Sequence, residues 1–165
     1  MTFLPIENIT YHSPLPLSKV KERLALAIKP EDVVRAPFKR TSEWPFAGYL
    51  DNDHFKVEHI IHYRNSFNPT IKGYFHPTDT GTSIEVEMRL SISVIIFLTI
   101  WCGAMGGVLI AELLSNGEND LIDVPVLLPP LLILFAYFVS RRGFNKEAKM
   151  AKIELADIFE SKKVT

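Results

Sequence analysis

The sequence contains a single cysteine, Cys102, among its 165 residues. An intrachain disulfide framework and any zinc or iron–sulfur site with several cysteine ligands are therefore excluded. An excess of charge of one sign is also absent, because 18 Lys and Arg face 19 Asp and Glu. The resulting net charge of −1 provides no broad basic field of the kind that nucleic-acid-binding proteins usually carry. We therefore expect no nucleic-acid partner.

The motifs that commonly mark an enzyme are missing from the chain. It has no glycine-rich phosphate loop, no dinucleotide-binding fingerprint and no nucleophile-elbow pattern around a serine. Cys102 falls within an apolar run, where we expect it to pack as a small apolar residue. The sequence therefore predicts a protein that is not an enzyme, with no catalytic residue and no cofactor.

Five histidines are the remaining candidates for metal ligands. His59 and His62 are three residues apart, which places them on one face of a helix but on opposite faces of a strand. The surrounding alternation favours a strand, so the two are poor co-ligands. His12, His54 and His76 fall near predicted turns or strand ends. We therefore expect no metal site.

Two long runs without charge are the main feature that the sequence does have. Residues 91–110 contain no charged side chain, and a second uncharged run covers residues 124–140. About 20 apolar residues in a helix match the hydrocarbon thickness of a bilayer. Either run alone could be the core helix of a soluble domain, but two runs joined by a short polar link favour a membrane. The sequence therefore predicts a transmembrane hairpin over residues 91–140, with spans at about 91–111 and 124–140.

The charges that flank these runs predict the orientation of the hairpin. The link over residues 111–123 carries four acidic residues and no Lys or Arg. Basic residues lie on the other side, with Arg89 before the first run and Arg141 and Arg142 directly after the second. Because basic residues favour the cytoplasmic side of a membrane, we expect both termini to be cytoplasmic.

The first run contains a stripe of small residues at helical spacing, formed by Thr99, Gly103, Gly107 and Ala111. Small residues on one helix face allow a second helix to approach closely within lipid. The stripe could pack against the second span of the same hairpin, against another copy of the chain, or against a span of a partner protein. We expect Gly103 and Gly107 to lie in a tight helix–helix contact.

The second run contains three prolines. Pro125 lies near the predicted start of the helix, where its missing N–H costs little. Pro129 and Pro130 lie further in, and we expect them to kink or break the helix because proline removes a backbone hydrogen bond.

Residues 1–90 predict a cytoplasmic β-rich domain. A first strand is expected over residues 1–10, followed by a helix with Ser18 as its N-cap and Pro30 at its end. Alternating apolar and polar residues then predict strands over residues 45–50, 54–64, 70–76 and 82–90. The alternation is clearest in the last strand, which runs directly into the first span, so we expect the sheet to rest close to the bilayer.

Residues 141–165 predict an amphipathic helix that completes the soluble domain. Its apolar face is formed by Phe144, Ala148, Ala151, Leu155 and Ile158. We expect this face to cover the sheet, and the alternative is a helix that lies on the anionic inner leaflet. The predicted fold is therefore α+β: an antiparallel sheet with N- and C-terminal helices, resembling a helix-grip domain, with the hairpin inserted before the last helix. A pleckstrin-like barrel is the second choice, and the N-terminal helix weakens it.

One polar loop stands out as a candidate interaction site, and its residues are Arg64, Asn65, Ser66, Phe67 and Asn68. It could be a purely structural turn in which Asn65 or Ser66 caps backbone groups and Asn68 with Pro69 fixes the bend. Alternatively it could be an exposed recognition loop, with Arg64 reaching an acidic group and Phe67 acting as a hydrophobic anchor.

Three stretches, residues 46–55, 60–73 and 81–90, resemble a family of small bacterial inner-membrane proteins with a β-rich cytoplasmic domain followed by two spans. The Arg64-Asn65-Ser66-Phe67 turn is the most specific part of this resemblance. The resemblance implies a bacterial source and the inner membrane, and it brings no catalytic residue with it.

These observations lead to two hypotheses about function. The first is a non-enzymatic, membrane-anchored interaction module, or an accessory subunit of an inner-membrane complex. Its partners would be the lipid bilayer and another membrane or cytoplasmic protein, or a second copy through the first span. The alternative is a tethered helix-grip-like domain that binds a lipid or other apolar ligand between its sheet and its closing helix. A carrier of this kind needs an internal apolar cavity, whereas an interaction module should be packed solid.

Overall fold

The computed structural model describes residues 5–29, 44–61, 63–115, 124–161 and 163–164 of the chain. The strands are β1 (Ile6–Ser13), β2 (Ile28–Lys29), β3 (Phe46–Leu50), β4 (His54–His59), β5 (Pro69–Thr78), β6 (Gly81–Leu90) and β7 (Lys163–Val164). The helices are α1 (Leu17–Ala27), α2 (Ile92–Ser115) and α3 (Val124–Ile158). This element content confirms the predicted α+β fold.

The strands of the described residues form one sheet in the order β2-β3-β4-β5-β6-β1-β7. The predicted antiparallel meander is present over β3 to β6, and β1 returns to pair along its whole length with β6. Only β2 and β3 are parallel. Along β6 the side chains alternate as predicted, with Ile84, Val86, Met88 and Leu90 buried.

The fourth strand is shorter than predicted. We expected it to continue to Arg64, but β4 ends at His59. At this point the Asn68 side chain donates a hydrogen bond to the His59 carbonyl (2.8 Å), and the Ile60 amide donates to the Pro45 carbonyl. The described residues between Ile60 and Asn68 lie outside the strands.

The first helix has a different cap from the predicted one. Its N-cap is Pro16, with no side-chain cap, and Ser18 lies inside the first turn. The Pro16 carbonyl accepts hydrogen bonds from the Lys19 and Val20 amides. The helix ends at Ala27, because Ile28 is extended and pairs with Phe46. Pro30, the predicted end, lies outside the described residues.

The second apolar run and the closing amphipathic segment form one continuous helix, α3, rather than two elements. Pro129 and Pro130 lie inside it and do not break it, so a break of the helix at this point is wrong, whereas a kink stays a prediction. Both prolines fall in the second turn, where the lost bonds are those to the carbonyls of Pro125 and Val126. These carbonyls belong to the first turn, at the end of the helix, where distortion costs less than in the middle.

Two helical stretches are long and apolar enough to cross a membrane, by length and composition. They are Ile92–Leu114 within α2 and Val126–Ile158 within α3. The 23 residues of the first stretch extend about 35 Å, which exceeds a typical hydrocarbon core.

The C-terminal half of α3 packs on the sheet. Phe144, Ala148, Ala151 and Leu155 are fully buried in the same core as the inward side chains of the strands, and Ile158 packs at its edge. This confirms the expected covering of the sheet over the alternative of a helix lying on lipid. Sequence reasoning missed Phe159, which is also buried and lies edge-on to Tyr11, with ring centroids 5.5 Å apart.

The Tyr11 hydroxyl lies in this core and donates a hydrogen bond to the Lys152 carbonyl. Burial, and secondarily the charge of Glu7, raise the pKa of Tyr11 above its usual value of about 10. The unfolded chain therefore ionises Tyr11 at a lower pH than the folded chain does. Stability from this residue is fully present below about pH 10 and is lost as the pH rises further.

We therefore expect the free energy of unfolding to fall above pH 10, with Tyr11 contributing up to about 1.4 kcal/mol per pH unit. Tyr11→Phe should flatten this dependence, because phenylalanine cannot ionise. Chemical denaturation of both proteins in detergent between pH 8 and about pH 11 measures the effect. Equal slopes in the two proteins would contradict the assignment.

Candidate functional site

The predicted interaction loop docks against helix α3. The Asn65 side-chain amide donates hydrogen bonds to the Gly143 carbonyl (3.2 Å) and to Glu147 Oε1 (3.0 Å). The Asn65 Oδ1 atom in turn accepts a hydrogen bond from the Phe67 amide (3.0 Å). Asn65 therefore closes the turn and ties it to the helix at the same time.

Gly143 permits this close approach of loop and helix. A Cβ atom at position 143 would lie 3.0 Å from a ring carbon of Phe67 and 3.2 Å from Asn65 Oδ1. Phe67 is half-buried and packs against the core. Arg64 and Ser66 are exposed. The structure thus uses Asn65, Phe67 and Asn68 inside the protein and leaves only Arg64 and Ser66 on its surface.

Glu147 lies beneath this loop and has no exposed surface (0 %). The Tyr63 hydroxyl and the Asn65 amide both donate hydrogen bonds to its Oε1 atom. Its Oε2 atom has no hydrogen-bond partner among the described residues and lies 3.7 Å from Nδ1 of His59. A buried carboxylate is costly unless it is bonded or paired, so these few contacts are important for the fold.

The imidazole ring of His59 lies between the carboxylates of Glu147 and Glu154. Its Nε2 atom lies 3.0 Å from Glu154 Oε2, and its Nδ1 atom faces Glu147. The edge of the imidazole contacts the ring of Phe46, with centroids 5.8 Å apart. The arrangement joins the end of β4 to two successive turns of α3.

Sequence reasoning missed this cluster, although two signals mark it. His59 continues the inward alternation of Phe55 and Val57 along β4. Glu147 lies three residues after Phe144 and thus on the predicted apolar face of the helix. When a polar residue occupies an apolar position in each of two elements, the two side chains are candidates for a buried polar pair.

The other histidines are spread over the surface. His12 is exposed on β1, His76 lies 3.7 Å from the exposed Glu85, and His54 lies between Tyr49 and Tyr74. His62 is outside the described residues. Within the part of the chain that the structure describes, no group of three or more His, Cys, Asp or Glu side chains is placed to hold a metal ion.

Within the stripe of small residues, the two glycines do not contact α3. Thr99, Gly103, Gly107 and Ala111 are all exposed, and no atom of the described residues lies within 4 Å of a Cβ built on either glycine. Among the described residues the second span of the same chain is therefore not the partner of Gly103 and Gly107, and their tight contact with another copy or with a partner span stays a prediction. The residues of α2 that are partly buried include Leu98, Cys102, Met105 and Leu109. One residue corresponds to a rotation of about 100° around the helix, which turns the neighbouring stripe outward.

The second face of the sheet carries a group of aromatic side chains at its surface. Helices α1 and α3 cover the face that bears the buried alternating residues. On the opposite face, the rings of Tyr49, His54 and Tyr74 form a row with successive centroids 6.1 Å apart. The tyrosines are 50 % and 48 % exposed. We call these three residues the aromatic row.

Two lysines extend the aromatic row toward the start of α2. Lys56 lies directly opposite Tyr49 on β3 and opposite Lys72 on β5. Like charges in opposite positions of neighbouring strands repel each other. Neither ammonium group has an ion pair among the described residues, because Glu58 accepts from Thr70 and Glu87 pairs with Arg89. The open face thus combines exposed rings with unpaired positive charge, a combination suited to an anionic or aromatic partner surface.

Comparison of the chain with family models, with curated proteins and with solved structures finds no match in any of the three.

Proposed function

We propose that this protein is a membrane-anchored interaction module without enzymatic activity. In this proposal α2 and the apolar half of α3 cross the inner membrane of a bacterium as a hairpin. The α+β domain then lies on the cytoplasmic side, where it binds another protein. The large apolar side chains of α2 support the membrane part, because Phe97, Ile100 and Leu114 are more than half exposed.

The observation that carries the interaction role is the open face of the sheet. A sheet of seven strands has one face covered by helices and the other bearing the aromatic row with Lys56 and Lys72. Exposed tyrosines are enriched at protein–protein interfaces, since they offer large contact areas with polar edges. The partner surface expected from this chemistry is acidic and contains apolar side chains.

The interior of the domain favours this proposal over an apolar ligand between the sheet and α3. The rings of Tyr11, Phe55 and Phe159 are fully buried there and contact one another. The ring of Phe55 also lies so close to Gly73 that a Cβ at that position would come within 2.2 Å of it. This space is therefore filled by the protein's own side chains, as an interaction module requires.

The accessibility of the polar cluster favours a non-enzymatic role. The Glu147 side chain has no exposed surface, and the loop over residues 63–68 covers it. A catalytic carboxylate must reach a substrate atom within hydrogen-bond distance. Glu147 instead uses its hydrogen bonds to hold the loop on the helix.

The interaction role is tested by photo-crosslinking in intact membranes. A benzophenone amino acid in place of Tyr74 should crosslink to a discrete partner, and the yield should fall when Lys56 and Lys72 are changed to glutamate. The same probe in place of Leu26, which is 72 % exposed on α1, is the matched control. Equal crosslinking from both positions, or none from position 74, would count against the open face as the interaction surface.

The orientation is tested by fusions to reporters that are active on one side of the membrane. Alkaline phosphatase should be inactive when fused after Thr165 and active when inserted within residues 116–120, because the basic residues flank the two runs on the side of the termini. An active fusion at the C-terminus would refute the proposed topology.

A further inference from the structure

A cavity of about 250 Å³ lies between the two apolar helices. Its walls are formed mainly by Leu98, Thr99 and Cys102 of α2 and by Ile133, Ala136 and Tyr137 of α3. Leu98 is six residues from the start of α2, which corresponds to a depth of about 9 Å along the helix. In a membrane the cavity would therefore lie within the leaflet on the side of the termini.

The lining of this cavity behaves as an apolar surface, because its threonine and serine hydroxyl groups are already hydrogen-bonded. The Thr99 hydroxyl donates a hydrogen bond to the Ile95 carbonyl (2.8 Å), and the Ser140 hydroxyl donates to the Tyr137 carbonyl (3.0 Å). Neither hydroxyl therefore presents its proton to the cavity. An occupant that is stabilised here must be hydrocarbon, because a polar group would lose its own hydrogen bonds.

The side chain of Arg141 lies beside this cavity. The guanidinium group of Arg141 donates a hydrogen bond to the hydroxyl of Tyr137 and lies 5.8 Å from the centroid of that ring. Arg141 follows Ser140, which also borders the cavity. Among the described residues Arg141 has no carboxylate partner. The guanidinium group of Arg141 is thus held against Tyr137, a wall residue of an apolar cavity, and Arg141 directly follows the lining residue Ser140.

We propose that this cavity binds one acyl chain of an anionic phospholipid, and that Arg141 together with Tyr137 binds the lipid phosphate. The inference rests on the proposed insertion of the two helices into a membrane. Basic sites between membrane helices on the cytoplasmic side are suited to anionic headgroups. A third helix is about 10 Å wide and does not fit into 250 Å³, whereas a single flexible acyl chain can enter from the surrounding lipid. An acyl chain in the cavity would also make the van der Waals contacts that the lining side chains lack when the cavity is empty.

The test uses the full-length protein in nanodiscs that contain phosphatidylglycerol and phosphatidylcholine with identical acyl chains. After mild transfer to detergent, native mass spectrometry counts the lipids that each protein retains. The wild type should keep one phosphatidylglycerol in preference to phosphatidylcholine by about fivefold, the effect of one cation near an anionic headgroup. Equal retention of the two lipids, or retention of neither, would overturn the proposal.

Two variants separate the headgroup from the acyl chain. Arg141→Gln should abolish the preference between the lipids while leaving an acyl chain bound, and it changes only an exposed side chain. Ala136→Phe should fill the cavity and lower the retention of both lipids. The matched controls are Arg142→Gln, which changes the neighbouring exposed arginine, and Leu134→Phe, which enlarges an exposed side chain outside the cavity. Controls that lose lipid as strongly as the test variants would contradict a specific site.

The single cysteine tests the competing occupant, a second copy of the chain. Cys102 lines the cavity, so a second copy seated there would bring two Cys102 side chains near each other. We expect no Cys102–Cys102 disulfide under oxidation in the bilayer, and efficient crosslinking would overturn the lipid assignment. Extraction of the protein from membranes by alkaline carbonate would instead refute the proposed function, and thus distinguishes that failure from a failure of the lipid site alone.

Discussion

Replacement of Glu147 by alanine should lower the free energy of unfolding by about 3–5 kcal/mol, the usual cost of removing one member of a buried polar or charged network. The variant leaves the Tyr63 hydroxyl and the Asn65 amide without their acceptor beneath the loop. It also removes one of the two carboxylates that face His59. Denaturant unfolding of the full chain in detergent measures the loss.

Glu147→Gln is the matched control for size and hydrogen bonding. Its amide oxygen can still accept from Tyr63 and Asn65, so we expect it to cost less than the alanine variant, about 1 kcal/mol. Glu154→Ala removes the partly exposed carboxylate from the other side of His59 and should have a smaller effect than Glu147→Ala, since solvent screens that pair. A Glu147→Ala protein as stable as the wild type would show that the network does not hold the loop on α3.

Leu155→Ala should cost about 2–5 kcal/mol, because it removes a fully buried side chain and leaves a cavity in the core. Leu155 is 0 % exposed and belongs to the cluster that joins α3 to the sheet. Ile153→Ala on the same helix is the control, because Ile153 is 63 % exposed and its truncation opens no cavity. Equal costs for the two variants would contradict the packing of this face on the sheet.

Hydrogen exchange provides an independent measurement of the same contact. Amides over residues 148–158 should be strongly protected in neutral detergent, where no anionic surface is present to hold the helix. Charge reversal at the exposed Lys149 should leave this protection unchanged, because its side chain lies outside the buried face. Lys152 is not suited to this test, because its ammonium group pairs with Glu7 on β1. Fast exchange in neutral detergent would indicate that the helix needs lipid rather than the sheet.

The periodicity of the sequence was sufficient to predict the α+β class and most buried faces. Alternation in β6 and the helical spacing of Phe144, Ala148, Ala151 and Leu155 each state which side of an element is apolar. This information is local, because the geometry of a strand or a helix alone determines which residues share a face. The two apolar runs likewise follow from composition over a short window of the chain.

The positions at which helices begin and end were predicted less well, because the local preferences of proline and capping residues compete with tertiary packing. Pro129 and Pro130 were expected to interrupt the second apolar helix, yet α3 continues through them and on into the soluble domain. The N-cap of the first helix is Pro16 rather than Ser18, and the helix ends where Ile28 gains a strand partner in Phe46. These boundaries depend on which alternative bonds the fold offers, and a local rule does not contain that information.

Only the tertiary structure decided what the candidate site residues do. Tyr63 and Asn65 meet Glu147 across 84 and 82 residues of sequence, so the network exists only once α3 lies on the sheet. The same holds for the small-residue stripe, whose spacing predicted a packing face but not its direction. A rotation of α2 by about 100°, which is one residue, separates the partly buried Leu98 and Cys102 from the exposed glycines of the stripe. The spacing of apolar residues in the sequence therefore determined which side chains share a face of a helix or strand. The packing of elements that are distant in sequence determined which residues each face contacts.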